Sequence, residues 1–333
     1  MRKYAKNLRL RLLIEIQVLF AAAIAVLTPR CCFRHRVRHQ VEQQDTSLDT
    51  SGVACGYTTP EMFIPHREIY GSADQRRVLA RGEDLLALVG NDPRFCSHGR
   101  GVQLSDFDAG GTTLALLLRL TRLQGVSGCE MVPDADAPAL IAALEDAGMK
   151  TDCYVNYMAG PDCVAIARDT VKGCGLPADL TLQTIDGSAP PTLLDAFASV
   201  ALAQDVLPSV GSVMRGITRP GFGMVAFDAE NRPVATAAAS LARHTAHPDA
   251  DMAQWGQLAT RDDRKGQGIA RAMACLSLVY GWENIGMRRF STGIRAGNVA
   301  SENLCRSLGL TPSGFTIVIA IDPDSFAGDQ ATK

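Results

Sequence analysis

LATRDDRKGQGIARAM (258–273) is the stretch on which the reading of this chain turns. A strand is expected to end at Thr260. A short polar loop holding Gly266 and Gly268 follows, and a helix begins at once. Along that helix Ile269, Met273, Leu276 and Tyr280 recur at i, i+4, i+7 and i+11, so one face is expected to be buried. Such a turn is suited to capturing an anion. The first helical turn has unpaired N–H groups and the positive end of the macrodipole. Glycines let the backbone come close to a phosphate and adopt φ > 0. Arg264, Lys265 and Arg271 add positive charge nearby. The same loop also fits an ordinary strand-to-helix turn. It is neither a Walker loop, since no G-K-[ST] follows, nor a dinucleotide fingerprint, since Arg271 stands where the last glycine belongs.

Working outward, the second half alternates regularly. Strands are predicted over 180–185, Gly221–Phe227, Pro233–Leu241, 254–260, 287–294 and 314–321. DAENR joins the second and third as a hairpin. Helices are predicted from Pro191 to Ala203, near 209–216, at 268–283 and at 298–308. In the first half, helices are predicted over 73–91, 111–123 and 136–147, with Gly148 as the stop. Strand-like runs follow at Cys153–Tyr157 and Cys163–Ala167. KGCGLPA (172–178) combines two glycines and a proline, so a boundary is placed there.

The loop has a companion downstream. Lys265-Gly266-Gln267-Gly268-Ile269-Ala270 resembles the acyl-CoA loop of the GNAT N-acetyltransferase superfamily, Q/R-x-x-G-x-G/A, with Lys in place of the usual Gln or Arg. About 30 residues on, Asn298-Val299-Ala300-Ser301-Glu302-Asn303-Leu304-Cys305-Arg306-Ser307-Leu308-Gly309-Leu310 resembles the family's second block, N-x-x-A/S-x-x-L-Y-x-x-x-G-F. The likeness covers residues 178–325. It implies an α/β (α+β) fold: a mixed, mostly antiparallel sheet with a splayed central strand pair flanked by helices, preceded by a smaller α/β domain at 62–177.

The resemblance also implies a chemistry. Acetyl-CoA would be the co-substrate, with no metal, and the acceptor a small-molecule or peptide amine. Leu258, Ala259 and Thr260 would pair with the pantetheine arm. Backbone amides from Gly266 to Ala270 would cradle the pyrophosphate, with Arg264, Arg271 and Asn298 close by. The amine attacks the thioester directly, and a strand N–H near Leu258 holds the carbonyl oxygen. The family's acid is frequently a Tyr where this chain has Cys305. A thiol could protonate the leaving thiolate, or Cys305 could simply pack and leave that task to Ser301 or solvent. Asn298, Ser301 and Cys305 share a helix face, and Asn298 is also a good N-cap. Gln257 stands where many members carry a Glu base and cannot take up a proton. His244, His247, Asp249 and Asp251 precede that strand and could act through water, or be solvated loop residues. The two departures also admit a non-catalytic acyl-CoA-binding regulatory module. A transferase using an aminoacyl donor carried on RNA is a third alternative.

Charge agrees with an amine acceptor. The chain has 333 residues and a formal net charge of -2, but nine of its 33 Lys/Arg and one of its 35 acids fall in residues 1–40. The remainder is strongly acidic, which disfavours nucleic acid and suits a cation. Ten cysteines occur without a C-x-x-C pair, as expected of buried or incidental thiols in a reducing compartment. Residues 1–61 read as a basic and apolar leader with a linker. The run 12–28 fits a signal sequence or a short membrane anchor, and Met62 fits a downstream start. Acyl-CoA as donor points to the cytoplasm. Finally, 127–159 echoes 286–320: strand, helix, Gly148 or Gly309, then strand, with Tyr154 matching Phe315. Either this is a coincidental helix–Gly–strand pattern, or the first half is a degenerate copy whose loop survives only as DAGGTT (108–113).

Overall fold

Local chemistry starts the helices where the sequence places them. In the computed structural model, which describes residues 68–328, helix α1 (Ala73–Val89) opens on a capping box. Ser72 Oγ accepts from the Gln75 amide at 3.2 Å, and Gln75 Oε1 accepts from the Ser72 amide at 2.9 Å. Two short strands follow, β1 (Phe95–Cys96) and β2 (Gln103–Leu104), then α2 (Thr112–Gln124), β3 (Val126–Pro133), α3 (Ala137–Asp146), β4 (Lys150–Ala159) and α4 (Asp162–Gly173). The second half runs β5 (Thr181–Ile185), α5 (Pro191–Ala203), α6 (Gly211–Met214), β6 (Gly221–Phe227), β7 (Pro233–Leu241), β8 (Met252–Thr260), α7 (Ile269–Tyr280), β9 (Arg289–Ile294), α8 (Val299–Ser307) and β10 (Thr311–Ile321).

One expectation fails. Cys163–Ala167 is not a strand but lies within α4. Cys163, Val164 and Ala167 are buried there at helical spacing, against α7. Viewed as five residues the run looked β-like. The longer window supplies the period that decides it.

All ten strands form one sheet in the order β1-β2-β3-β10-β4-β9-β8-β7-β6-β5. Two adjacent pairs are parallel, β2 with β3 and β8 with β9, and the rest antiparallel. The boundary expected at 177/178 falls in the loop after α4, yet strands from both sides of it interleave. β4 of the first half lies between β9 and β10, and β10 of the second half lies between β3 and β4. All the described residues belong to one compact unit, Phe63–Lys333.

The interleaving has a pseudo-twofold. Val155 of β4 faces Thr316 of β10. These residues are 161 positions apart, and so are Gly125 and Gly286, and Gly148 and Gly309, all four glycines having positive φ. With the same offset, β3 falls on β9 and α3 on α8. The two halves therefore repeat one motif. The copy in the first half stops short: β2 ends at Leu104, where β8 continues to Thr260. One core lies between the second half of the sheet and α4, α7 and α8, with Phe222, Trp255, Met273 and Phe290 in it. Another lies under α2 and α3, around Leu117, Leu144 and Val318. α5 covers the opposite face of β5–β7 through Leu194 and Phe197.

Candidate active site

The strands β8 and β9 begin as neighbours and then part. They pair at Met252–Arg289, Ala253–Phe290 and Gln254–Ser291, and no further. β8 continues to pair with β7 as far as Thr260. A bulge turns it away: register shifts between Thr236 and Ala238, with Gly256 at φ 146° and Gln257 at φ 52°. A left-handed non-glycine residue costs about 1–2 kcal/mol. Hydrogen bonds around Gln257 offset this. Its Oε1 accepts from the Ser209 amide at 2.9 Å, its Nε2 donates to Ser209 Oγ at 2.8 Å, and its carbonyl accepts from Thr236 Oγ1 at 2.9 Å. Gln257 thus has a structural task, holding the splay open.

Beyond the splay the chain enters the glycine loop. Gly266 (φ 77°) and Gly268 (φ 76°) are left-handed, and a Cβ on either would meet no atom within 4 Å. Gly268 is the N-cap of α7 and offers no side chain to the helix. From Gly266 to Arg271, six consecutive amides donate to no acceptor among the described residues. The loop is exposed from Lys265 to Gly268, and Ile269 anchors it in the core. Its side-chain charge is partly compensated. Arg264 pairs with Asp179 at 2.8 Å and also bonds Gln267 Oε1, and Lys265 pairs with Asp262 at 2.6 Å.

A cleft of about 990 Å³ runs from this loop through the splay to the face of the sheet formed by the first half. Leu258, Ala259, Thr260, Arg264, Lys265, Gly266, Gly268, Ile269, Ala270, Arg271 and Asn298 all line it, as do Ser301 and Cys305. Gln267 does not, because its side chain turns to Arg264. Asn298 Oδ1 caps α8 by accepting from the Ser301 amide at 3.2 Å. Cys305 is buried, and burial pushes its thiol up to about 12. His244, His247, Asp249 and Asp251 are not brought to the cleft. His247 bonds Asp106 at 2.7 Å, and Asp249 and Asp251 both bind Arg289, so they secure the loop before β8.

Other residues reach the cleft that the motif reading overlooked. His98 and Arg100 come from the connection between β1 and β2, Gln103 from β2 itself and Glu130 from β3. His98 Nε2 lies 3.0 Å from Gln103 Nε2 and 3.6 Å from Glu130 Oε1. Burial, with Arg100 adding to it, pushes His98 down to about 3, so the ring is neutral. Burial raises Glu130, and nearby Arg243 opposes the shift. Two signals could have flagged this cluster: the lone charge in the apolar strand VSGCEMV, and the polar SHGRG between two glycine-flanked turns.

A mixed, mostly antiparallel α/β sheet with a splayed parallel pair, followed by a glycine cradle at a helix start, is the arrangement the resemblance implies. Solved structures similar to this chain include GNAT N-acetyltransferases. A GCN5-related N-acetyltransferase from Kribbella flavida is 16% identical, with 74% of this chain and 95% of that one covered and a TM-score of 0.48. A tandem GNAT protein from the clavulanic acid biosynthesis pathway is 15% identical over 66% of this chain and 74% of its own, with a TM-score of 0.44. A GCN5-related N-acetyltransferase-like protein from Streptococcus suis is 14% identical over 66% and 79%, with a TM-score of 0.43. No protein-family model and no curated protein matches this chain. The functional reading therefore rests on the splay, the cradle and the cleft themselves.

Proposed function

We propose that this chain transfers an acetyl group from acetyl-CoA to a small primary amine or amino-terminal group. The observation that carries the proposal is the run of unpartnered amides from Gly266 to Arg271, opening on a cleft continuous with the splay. Six N–H groups at a helix start, in front of open space, fit a diphosphate. The edge of β8 from Leu258 to Thr260, released by β9, fits an amide-bearing arm lying along it. Residues 178–325 supply this donor side, and 62–177 contribute a wall of the acceptor side.

Catalysis would then follow from placement. An N–H near Leu258 stabilises the oxyanion as the amine nitrogen adds to the thioester carbon. The C–N bond forms, the C–S bond breaks, the nitrogen loses a proton, and the electron pair leaves on the CoA sulfur. Cys305, Ser301 and Asn298 lie on the α8 side of the cleft. At about 12, the Cys305 thiol keeps its proton at neutral pH. Passing it to a thiolate of ordinary pKa, about 8.5, is uphill by several kcal/mol. Cys305 is therefore assigned a hydrogen bond to the leaving sulfur, with the proton coming from solvent. An acyl-CoA donor suits a cytoplasmic setting. No described helix is long and apolar enough to cross a membrane, and the run 12–28 lies outside the described residues.

The second reading, a non-catalytic acyl-CoA sensor, is favoured by Gln257 standing in the base position and being engaged with Ser209. Calorimetry with acetyl-CoA, paired with free-thiol release on an amine panel, separates the two. The transferase binds and turns over, and the sensor binds without turnover. Absence of binding defeats both.

A further inference from the structure

We propose that the acceptor is an amine that also carries a carboxylate and an apolar side chain, a hydrophobic amino acid, with Arg100 receiving the carboxylate. This rests on the acyl-transfer reading above and names the substrate class for the same cleft.

The first observation is a cation without a counter-ion. Arg100 lines the cleft, and its guanidinium makes no ion pair or hydrogen bond among the described residues. Its Nε is buried and unsatisfied. Lost hydration pulls the group down to about 10, a shift that a bound anion would reverse. Other cations at the cleft are differently placed. On the donor loop Arg264 pairs with Asp179 and Lys265 with Asp262, and Arg271 lies in the first turn of α7 beside the cradle. Arg295 pairs with Asp152 at 2.5 Å. A planar guanidinium with free donors matches a carboxylate in two parallel bonds.

The second observation is a set of polar atoms suited to the amine. Gln103 is 6% exposed and faces the cleft, and its Oε1 has no partner. Gln254 Oε1 is also buried without a partner, on the last β8 residue to pair with β9 before the splay. Glu130, on the same wall, is the carboxylate available to an ammonium. Buried acceptors left unsatisfied are costly, and an amine's N–H groups would relieve that cost.

The third observation is the wall between them. Val78, Val126, Ile317, Ile319 and Phe326 line the same cleft and form one apolar cluster. An aliphatic or aromatic side chain would bury itself there. Apolar and acceptor-rich surroundings near a buried guanidinium without a counter-ion describe a zwitterion with a greasy substituent better than a polyamine or a sugar amine.

The test uses the full chain, acetyl-CoA and matched acceptors: L-leucine, L-leucinamide, 3-methylbutylamine and O-phosphoethanolamine, with L-phenylalanine and its amide alongside. The free amino acids should show kcat/KM at least about tenfold above their amides and the decarboxylated amine. Arg100→Ala should raise KM for L-leucine at least about tenfold while KM for acetyl-CoA stays put, and Arg100→Lys should restore part of the loss. Equal use of amide and acid, preference for the phosphate, or loss of acetyl-CoA binding in Arg100→Ala overturns the proposal. If none of these acceptors is turned over, thermal shifts with N-acetyl-L-leucine and its amide decide it, in the presence of CoA. A shift specific to the carboxylate, and lost in Arg100→Ala, supports the proposal, and no such difference overturns it. Failure of the unaltered chain to bind acetyl-CoA defeats the acyl-transfer reading itself. Binding combined with indifference to the carboxylate defeats only this inference.

Discussion

His98 is a neutral imidazole buried among Gln103, Glu130, Arg100 and Arg243. Its folded value of about 3 lies below the ordinary 6.5. The unfolded chain therefore takes up this proton first as pH falls. The contribution is complete above 6.5 and is lost progressively between 6.5 and 3, at up to about 1.4 kcal/mol per pH unit. Glu130 runs the other way. Its value is raised, so its contribution is present below 4.5 and fades as pH rises through the folded value. Between pH 6.5 and 5, stability should fall by up to about 2 kcal/mol from His98 alone. Urea unfolding across that interval checks this, and His98→Asn should flatten the slope whatever it does to absolute stability. An unchanged slope in the variant would mean that the ring titrates alike in the folded and unfolded protein.

At the level of elements, the turn from β8 into α7 is where backbone conformation meets function. Gly268 sits at φ 76° with empty space where a Cβ would go, so Gly268→Ala is opposed by torsion and not by collision. Gly286, after α7, is at φ 84° with equally empty surroundings and so serves as its control. Each alanine should cost about 1–2 kcal/mol in thermal or urea unfolding. Only Gly268→Ala should also weaken acetyl-CoA, by about tenfold or more in calorimetry, because its methyl group enters the cradle. Equal effects on binding would remove the cradle from the argument. This turn was legible in sequence because glycine spacing and helical period are local. So were Pro191–Ala203, Gly221–Phe227 and Pro233–Leu241, whose bounds agree with the structure to the residue. Cys163–Ala167 misled because five residues hold too little period. β1 and β2, at two residues each, hold none. Gln257 looked like a missing base, and its role in the bulge emerges only once Ser209 is seen beside it. Arg100 and Glu130 belong to no motif, and folding across more than a hundred residues is what brings them to the cleft.

For the molecule as a whole, the order β3-β10-β4-β9 matters more than any boundary in the sequence. Each half completes the other's sheet, so β9 and β10 have no common ladder without β4. The link is also polar. Ser291 Oγ donates to Asn156 Oδ1 at 3.0 Å, and both residues are fully buried. Removing residues 62–177 would strip β10 of both neighbours and expose Ile317, Val318 and Ile319. That is a loss no single helix could cover, and it leaves unpaired strand edges prone to aggregation. Residues 178–333 alone should therefore be insoluble or lack fixed tertiary structure, and should not bind acetyl-CoA. Co-expression with 62–177 should restore both. In the intact chain, near- and far-ultraviolet circular dichroism should report one coincident unfolding transition. Two separate transitions, or a soluble 178–333 fragment that binds acetyl-CoA, would show that the halves merely touch. The interleaving also explains how the cleft can take its cradle from one half and Arg100 and Glu130 from the other. Donor and acceptor sides are held in register by a continuous ladder of hydrogen bonds, with no hinge between them that binding would have to order.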